Sequence, residues 1–303
     1  MTQQLTPQLT PRLTLRERLD TYEKLMRLDK PIGILLLLWP ALWALWFASP
    51  RAQRLDILLI FVLGTILMRS AGCVINDYAD RDIDPHVERT KNRPIAAGLV
   101  SPKEALILAL VLLLLSFILV LFLNQFTIVL SVVALAVAAS YPFSKRFFPL
   151  PQAWLGIAFG MSILMAFAAY RNNLPPLAWW LLAANIFWAI AYDTEYAMVD
   201  RDDDMRLNIK TSALLFGVFD VAAVMFCHGV FIAILAGIGL WMKLGVAYYA
   251  GLVLACGLIL SQYQLIKTRQ RDRCFEAFKN NNWVGMAIFA GLALDMYHRI
   301  RWF

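Results

Sequence analysis

"LAWWLLAANIFWAIAYDTEYAMVDRDDD", residues 177–204, runs from a wholly apolar stretch directly into acid. Six carboxylic acids fall in its last twelve residues, from Asp193 to Asp204. The chain of 303 residues is 60% hydrophobic and only 16% charged, so its densest acid cluster sits at the mouth of an apolar run. About twenty residues at 1.5 Å each cross a hydrocarbon core about 30 Å thick. The stretch therefore reads as a membrane helix that ends in a polar, acidic turn.

Outward from this stretch, the same pattern recurs. Apolar spans are predicted near residues 31–48, 56–76, 104–123, 125–143, 151–170, 177–197, 212–238, 245–266 and 284–302. A spanning segment must satisfy its own backbone hydrogen bonds, which makes helices the economical reading. The expected fold is an all-α polytopic membrane protein: nine transmembrane helices around a central cavity, as two four-helix halves plus a ninth helix. Residues 1–26 read as an N-terminal cytoplasmic segment without a cleavable signal, and 27–303 as a single transmembrane domain. Pro40 is expected to kink the first span, and Pro142 makes helix through that point doubtful.

With the N-terminus in the cytoplasm, 21 of the 28 Lys and Arg residues lie inside and six outside, with Arg69 within the second span. This split satisfies the positive-inside rule and puts the C-terminus in the periplasm. It also accounts for the net charge of +7 without a nucleic-acid partner. Cys73, Cys227, Cys256 and Cys274 form no CxxC pair and read as small hydrophobes rather than a disulfide or zinc framework.

A second acidic stretch, "NDYADRDID" at 76–84, ends the second span on the same side of the membrane. On a continuous helix Asn76, Asp80 and Asp84 cover an arc of about 80°, and Asp193, Asp200 and Asp204 an arc of about 40°. Pro85 makes Asp84 the expected last helical residue. Like charges stacked this way repel, and acids near the bilayer are costly; a bound cation relieves both. Carboxylates without His or Cys suit a hard ion such as Mg²⁺, which commonly takes one or two carboxylates plus substrate phosphate. Two such banks suggest Mg²⁺ gripping a diphosphate. The alternative is that the acids are solvated loop charges.

A diphosphate also needs cations. "RTKNRPIAAG" supplies Arg89, Lys91 and Arg93 after the first bank, and Lys210 follows the second. Arg69 lies on the face of Asn76, about 10 Å deeper. It is a candidate for a carboxylate on a second substrate, or for a structural ion pair with Asp220 or Asp56. In "SYPFSKR", 140–146, Tyr141 is a candidate to orient a phenol or stabilise a cation, or a member of an interfacial aromatic belt, and Lys145 follows it. His86, His228 and His298 form no constellation, and Asp295 has no evident role.

With these residues placed, a resemblance emerges. "NDYADRDID" has the pattern NDxxDxxxD and "DTEYAMVDRDDD" the pattern DxxxxxxDxxxD, with "YPFSK" between them. The sequence resembles the UbiA superfamily of intramembrane aromatic prenyltransferases. The flanking "RLDKPIGILLLLWPALWALW", "LMRSAGCVINDYADRDID" and "KNRPIAAG" are similar to its bacterial branch that prenylates 4-hydroxybenzoate in ubiquinone biosynthesis. The resemblance runs from about Arg27 to "NNNWVG", 280–285. It implies a Mg²⁺-dependent enzyme of the bacterial inner membrane that takes polyprenyl diphosphate and an aromatic acceptor in contact with membrane lipid. It also implies Asn76, Asp80, Asp84, Asp200 and Asp204 as metal ligands, and Asp77, Asp193 and Tyr141 as catalytic groups. Arg69, Lys91, Arg93, Lys145 and Lys210 are then the substrate-binding set. Glu195 departs from the pattern, where Gln is expected. The rival classes are a cation-coupled transporter, which also buries acids in a membrane cavity, and a non-catalytic scaffold.

Overall fold

A computed structural model describes residues 14–49, 53–206 and 210–301, with the side chains of 142–147, 300 and 301 excepted. The described residues are helical and contain no strand. In chain order the α-helices are α1 (Leu15–Leu25), α2 (Ile32–Ala48), α3 (Leu55–Ala79), α4 (Pro102–Val120), α5 (Gln125–Phe147) and α6 (Pro151–Arg171). They continue as α7 (Pro176–Val199), α8 (Arg201–Arg206), α9 (Ser212–Phe216), α10 (Asp220–Trp241), α11 (Val246–Ile266) and α12 (Arg271–Arg301).

The long helices close a ring. Each of α2 to α7 packs on the next, α7 passes to α10, then α11, α12 and back to α2. Five stretches are long and apolar enough to cross a membrane: α3, α4, α6, the α9–α10 stretch from Ser212 to Trp241, and α11. Two shorter apolar helices, Ile32–Ala48 and Gln125–Tyr141, join them. Leu106, Ile107, Leu110 and Leu114 stand exposed along α4, the face a bilayer would cover.

The ring is filled at one end. Trp43 of α2, Trp188 of α7 and Phe231 of α10 are buried together; the Trp188 and Phe231 rings stack at 5.5 Å. Trp43 donates its indole N–H to the Gly285 carbonyl of α12, and Trp188 donates to Asn281 Oδ1 at 3.0 Å. These bonds satisfy the polar edge of rings that otherwise supply apolar area. Helices α11 and α12 approach most closely at glycines, since a Cβ on Gly251 would meet the Ala287 carbonyl at 2.6 Å. With this end closed by packing, the acids gather where α3 and α7 terminate.

Four local expectations change. Helix α3 ends at Ala79, and Asp84 begins a separate 3₁₀ turn, Asp84–His86. Helix α7 ends at Val199 and a new short helix starts at Arg201. The arcs drawn on continuous helices therefore do not apply beyond Asp80 and Asp200. Helix α5 instead continues through Pro142 to Phe147. Trp154 of α6 donates to Val137 O and Ser140 Oγ just before the proline, supporting that stretch with side-chain hydrogen bonds. The last helix begins at Arg271 rather than near 284. Asp295 acquires a role: it accepts from Gly245 N at 2.8 Å and Arg299 Nε at 3.0 Å, tying α12 to the α10–α11 turn. Cys73, Cys227 and Cys274 are buried free thiols, as expected.

Candidate active site

Each acidic motif is a helix end followed by one further turn. Asp80 (φ −93°, ψ 7°) and Asp200 (φ −97°, ψ 6°) leave their helices with the same backbone. The Asp80 carbonyl accepts from Ile83 N and Asp84 N, and the Asp200 carbonyl accepts from Asp203 N and Asp204 N. Short polar residues favour such exits because their side chains compete with the helix for backbone partners. The repeated turn buries the acid four residues on in both motifs, Asp84 at 4% and Asp204 at 9% exposure.

Buried carboxylates need cations, and arginines supply them. Arg27, which ends α1 in a left-handed turn (φ 57°), forks onto Asp77 at 3.0 and 2.9 Å. Arg93 bridges Asp77 at 3.1 Å and Asp84 at 2.9 Å. Thr90 donates to the Asp84 carbonyl at 2.9 Å and fixes the loop that carries these groups. Burial raises the Asp84 carboxyl above the ordinary Asp value, while Arg93 pulls it down. Asn76 Nδ2 donates to Asp80 Oδ2 at 3.1 Å.

Arg89 joins the two motifs. It follows the first in sequence but grips the second, its Nε donating to Asp200 Oδ1 and Oδ2 at 3.0 and 2.9 Å. Its guanidinium lies 4.6 Å from the Tyr196 ring centroid. Burial works against the Arg89 charge, yet Tyr196 and Asp200 hold its pKa above the ordinary arginine value.

Arg69 projects into the same region. Its electrostatic neighbours are Cys73, Tyr196, Tyr192 and Tyr141, and the Phe159 ring lies 6.0 Å away. Its buried Nε has no hydrogen-bond partner. Gly33 makes the space, since a Cβ there would stand 2.7 Å from that nitrogen. Neither acid considered as its ion-pair partner is available: Asp220 is taken by Arg201 and Arg269, and Asp56 by Arg54. Tyr141 lies near Asp80, Asp193, Arg69 and Tyr192, between the motifs.

Other predicted groups lie apart. Lys91 pairs with Glu88 at 2.7 Å on the exposed side of the loop, so this local partner turns it from the acids. Lys210 is exposed, and the Lys145 side chain lies outside the described residues. Glu195 turns into the packing, where it accepts from Asn281 at 2.7 Å and lies 3.8 Å from His228. Arg27 and Tyr196 were not singled out in the sequence. In sequence Arg27 reads only as a topology charge, and its partner lies 50 residues away.

The donor set is carboxylate and amide oxygen without thiolate, which fits a hard cation. Among the described residues no three His, Cys, Asp or Glu side chains converge as a ready metal cage. At the buried acids Asp77, Asp84 and Asp200, arginines fill the cationic role instead.

The UbiA prenyltransferase family model matches residues 37–289, across both motifs and the loop between them. The chain belongs to this family. A relative from Nitrosospira multiformis, a 4-hydroxybenzoate octaprenyltransferase, is 64% identical over 93% of this chain and 97% of its own. A protein of the same name from Dechloromonas aromatica is 61% identical over 93% and 95%. Among solved structures, the apo UbiA homolog from Aeropyrum pernix K1 superposes with a TM-score of 0.77 at 27% identity, covering 87% of this chain and 98% of its own. A UbiA homolog from Archaeoglobus fulgidus bound to GPP and Mg²⁺ shares the fold with a TM-score of 0.70 at 18% identity, over 93% and 99% of the two chains. Membership makes this UbiA chain a multi-pass membrane prenyltransferase.

Proposed function

We propose that the chain transfers a polyprenyl group from polyprenyl diphosphate to the ring carbon ortho to the hydroxyl of 4-hydroxybenzoate, a step of ubiquinone biosynthesis. The observation that carries this reading is the Arg89–Asp200 fork, which draws both acidic motifs around one volume also reached by Arg69 and Tyr141. The names of the relatives support the acceptor and the pathway.

Asn76, Asp80, Asp84, Asp200 and Asp204 are the oxygen donors suited to Mg²⁺. When bound, Mg²⁺ neutralises the diphosphate and makes it a better leaving group. Arg89 and Arg93 present guanidinium forks suited to phosphate oxygens. Arg69, with its Nε unpartnered, takes the carboxylate of 4-hydroxybenzoate and sets the ring against the allylic carbon. The C–O bond of the allylic diphosphate breaks with its electron pair on oxygen. The ring carbon forms the new C–C bond, and Asp193 beside Tyr141 accepts the ring proton. Tyr141, Tyr192 and Tyr196 line the path of the allylic cation with π faces. Asp77, held by Arg27 and Arg93, orients the two arginines.

The charge split supports an N-terminus and both acidic turns on the cytoplasmic side of a bacterial inner membrane. Acceptor and diphosphate then arrive from water while the tail stays in lipid. The test is reconstitution of the chain with 4-hydroxybenzoate, geranyl diphosphate and Mg²⁺, read by mass spectrometry with and without EDTA. Prenylated 4-hydroxybenzoate that disappears with EDTA is expected. Folded protein that prenylates no aromatic acid would overturn the acceptor, and substrate-driven ion flux in liposomes would favour a transporter.

A further inference from the structure

The second acidic turn is held by a charge cluster outside the groups assigned to either candidate substrate. Helix α8 has only six residues, too few for a stable isolated helix. Its outer residues are anchored. Arg201 Nη1 donates to Asp220 Oδ2 at 2.7 Å, and Asp220 is fully buried at the start of α10. Arg269, in the turn before α12, forks onto the same carboxylate at 3.0, 3.1 and 2.7 Å. It adopts a left-handed backbone (φ 54°) to do so and also donates to the Val218 carbonyl. Two residues on, Arg271 reaches Asp202 at 3.2 Å and Asp203 at 3.3 Å. The other acids of the same segment, Asp200 and Asp204, are buried.

Asp200 and Arg201 are adjacent in the chain, so the anchor on one sets the position of the other. We propose that Asp220, acting through Arg201, is a positioning residue that holds the second carboxylate bank in register with the first for metal–diphosphate binding. This rests on the proposed function. The first bank has no such dependence, since Arg27 and Arg93 brace it directly. Loss of the anchor therefore weakens one bank, and the defect appears in metal and diphosphate binding rather than in acceptor binding.

The decisive variant is Arg201→Ala. It cuts the link to α8 but leaves Asp220 paired with Arg269, so the buried carboxylate keeps a cation. Asp220→Asn is the second variant, and Arg299→Ala, which breaks the distant Asp295 pair, is the control for loss of any helix-end brace. Mn²⁺ binding to the reconstituted protein is measured by EPR with geranyl diphosphate present, beside the Mg²⁺ dependence of turnover. In Arg201→Ala the metal concentration for half-saturation is expected to rise about tenfold in both readouts. KM for 4-hydroxybenzoate stays within twofold, Arg201→Lys recovers part of the loss, and Arg299→Ala leaves metal binding unchanged. Wild-type metal affinity in folded Arg201→Ala would overturn the positioning role and leave the proposed function standing. A wild-type protein that binds no Mn²⁺ with diphosphate would overturn the proposed function itself, and this inference with it.

Discussion

The turn after α3 and the turn after α7 share a backbone, yet their acids find positive charge in different places. Both leave a helix at an aspartate with ψ near zero, and both bury the aspartate four residues on. In the first, Asp77 and Asp84 share Arg93, and Arg27 completes the set from α1. In the second, Asp200 takes its cation from the first motif's own loop through Arg89, while α8 is tied outward to Asp220 and Arg271. One bank is self-sufficient and the other is borrowed. A site proposed to admit a multiply charged diphosphate would benefit from this asymmetry, because Arg89 could exchange a carboxylate for a phosphate without unmaking the first bank.

The largest expected effect tests the borrowed side. Asp200→Asn removes the charge that Arg89 grips and one proposed metal oxygen, while keeping the side chain's size. Turnover should fall by about 10²–10³, the scale of losing one preorganised electrostatic partner. The protein should still insert and fold, since Asn continues to accept from Arg89. Product formation across a Mg²⁺ titration checks this; near-wild-type turnover would remove Asp200 from the metal–diphosphate site.

The self-sufficient side should respond in stability first. Arg93→Gln leaves two buried carboxylates short of their shared cation. Breaking a buried pair costs about 3–5 kcal/mol, partly relieved here because Arg27 still holds Asp77. The sign of the pH effect follows from Asp84. Its carboxyl is already raised by burial, so the folded state binds that proton at a higher pH than the unfolded chain does. Its charged form therefore detracts from stability at neutral pH, and this penalty fades as pH falls through the raised value. Removing Arg93 leaves burial unopposed. In Arg93→Gln the acid limb of the pH–rate profile should move to higher pH. An unshifted limb would show that Asp84 ionisation does not limit the reaction.

Arg69 is the proposed acceptor group, distinct from the two banks. Arg69→Lys keeps a charge in the region but loses the planar fork facing the tyrosines. KM for 4-hydroxybenzoate should rise about tenfold, the scale of one charge-assisted hydrogen bond, with the diphosphate dependence unchanged. A shift in diphosphate KM instead would reassign Arg69 to the leaving group.

This pattern of effects also marks what could be read before the structure. Hydropathy placed most of the long helices within a few residues, because each must supply a run of apolar side chains to lipid or core. The exits at Asp80 and Asp200 were not legible. No Gly or Pro marks either point, so a periodic argument carried the helices onward and predicted a single ligand face. Asp80 and Asp200 were singled out as acids, but not as the residues that end helices. Arg69 stood out because one cation inside an apolar span is conspicuous. Arg27 reads only as a topology charge and Arg89 only as one of three phosphate candidates, because among many cytoplasmic arginines only the tertiary fold shows which meets an acid 50 or 111 residues away. The Asp220 anchor was hidden for the same reason.

Lys91 gives the smallest effect and the sharpest check on that limit. It sits two residues from Arg89 and two from Arg93, and in sequence the three cations look equivalent. The fold separates them: Arg93 is 14% exposed among buried acids, whereas Lys91 is 45% exposed against Glu88. An exposed pair of this kind contributes little, because water and salt screen it and both side chains lose freedom in making it. Lys91→Ala should therefore change turnover and the KM for diphosphate by less than about twofold. A large rise in that KM would mean that the loop turns Lys91 inward when diphosphate binds, and that the first bank also recruits charge on demand. The contrast between a fixed bank and a borrowed one would then hold only for the substrate-free enzyme.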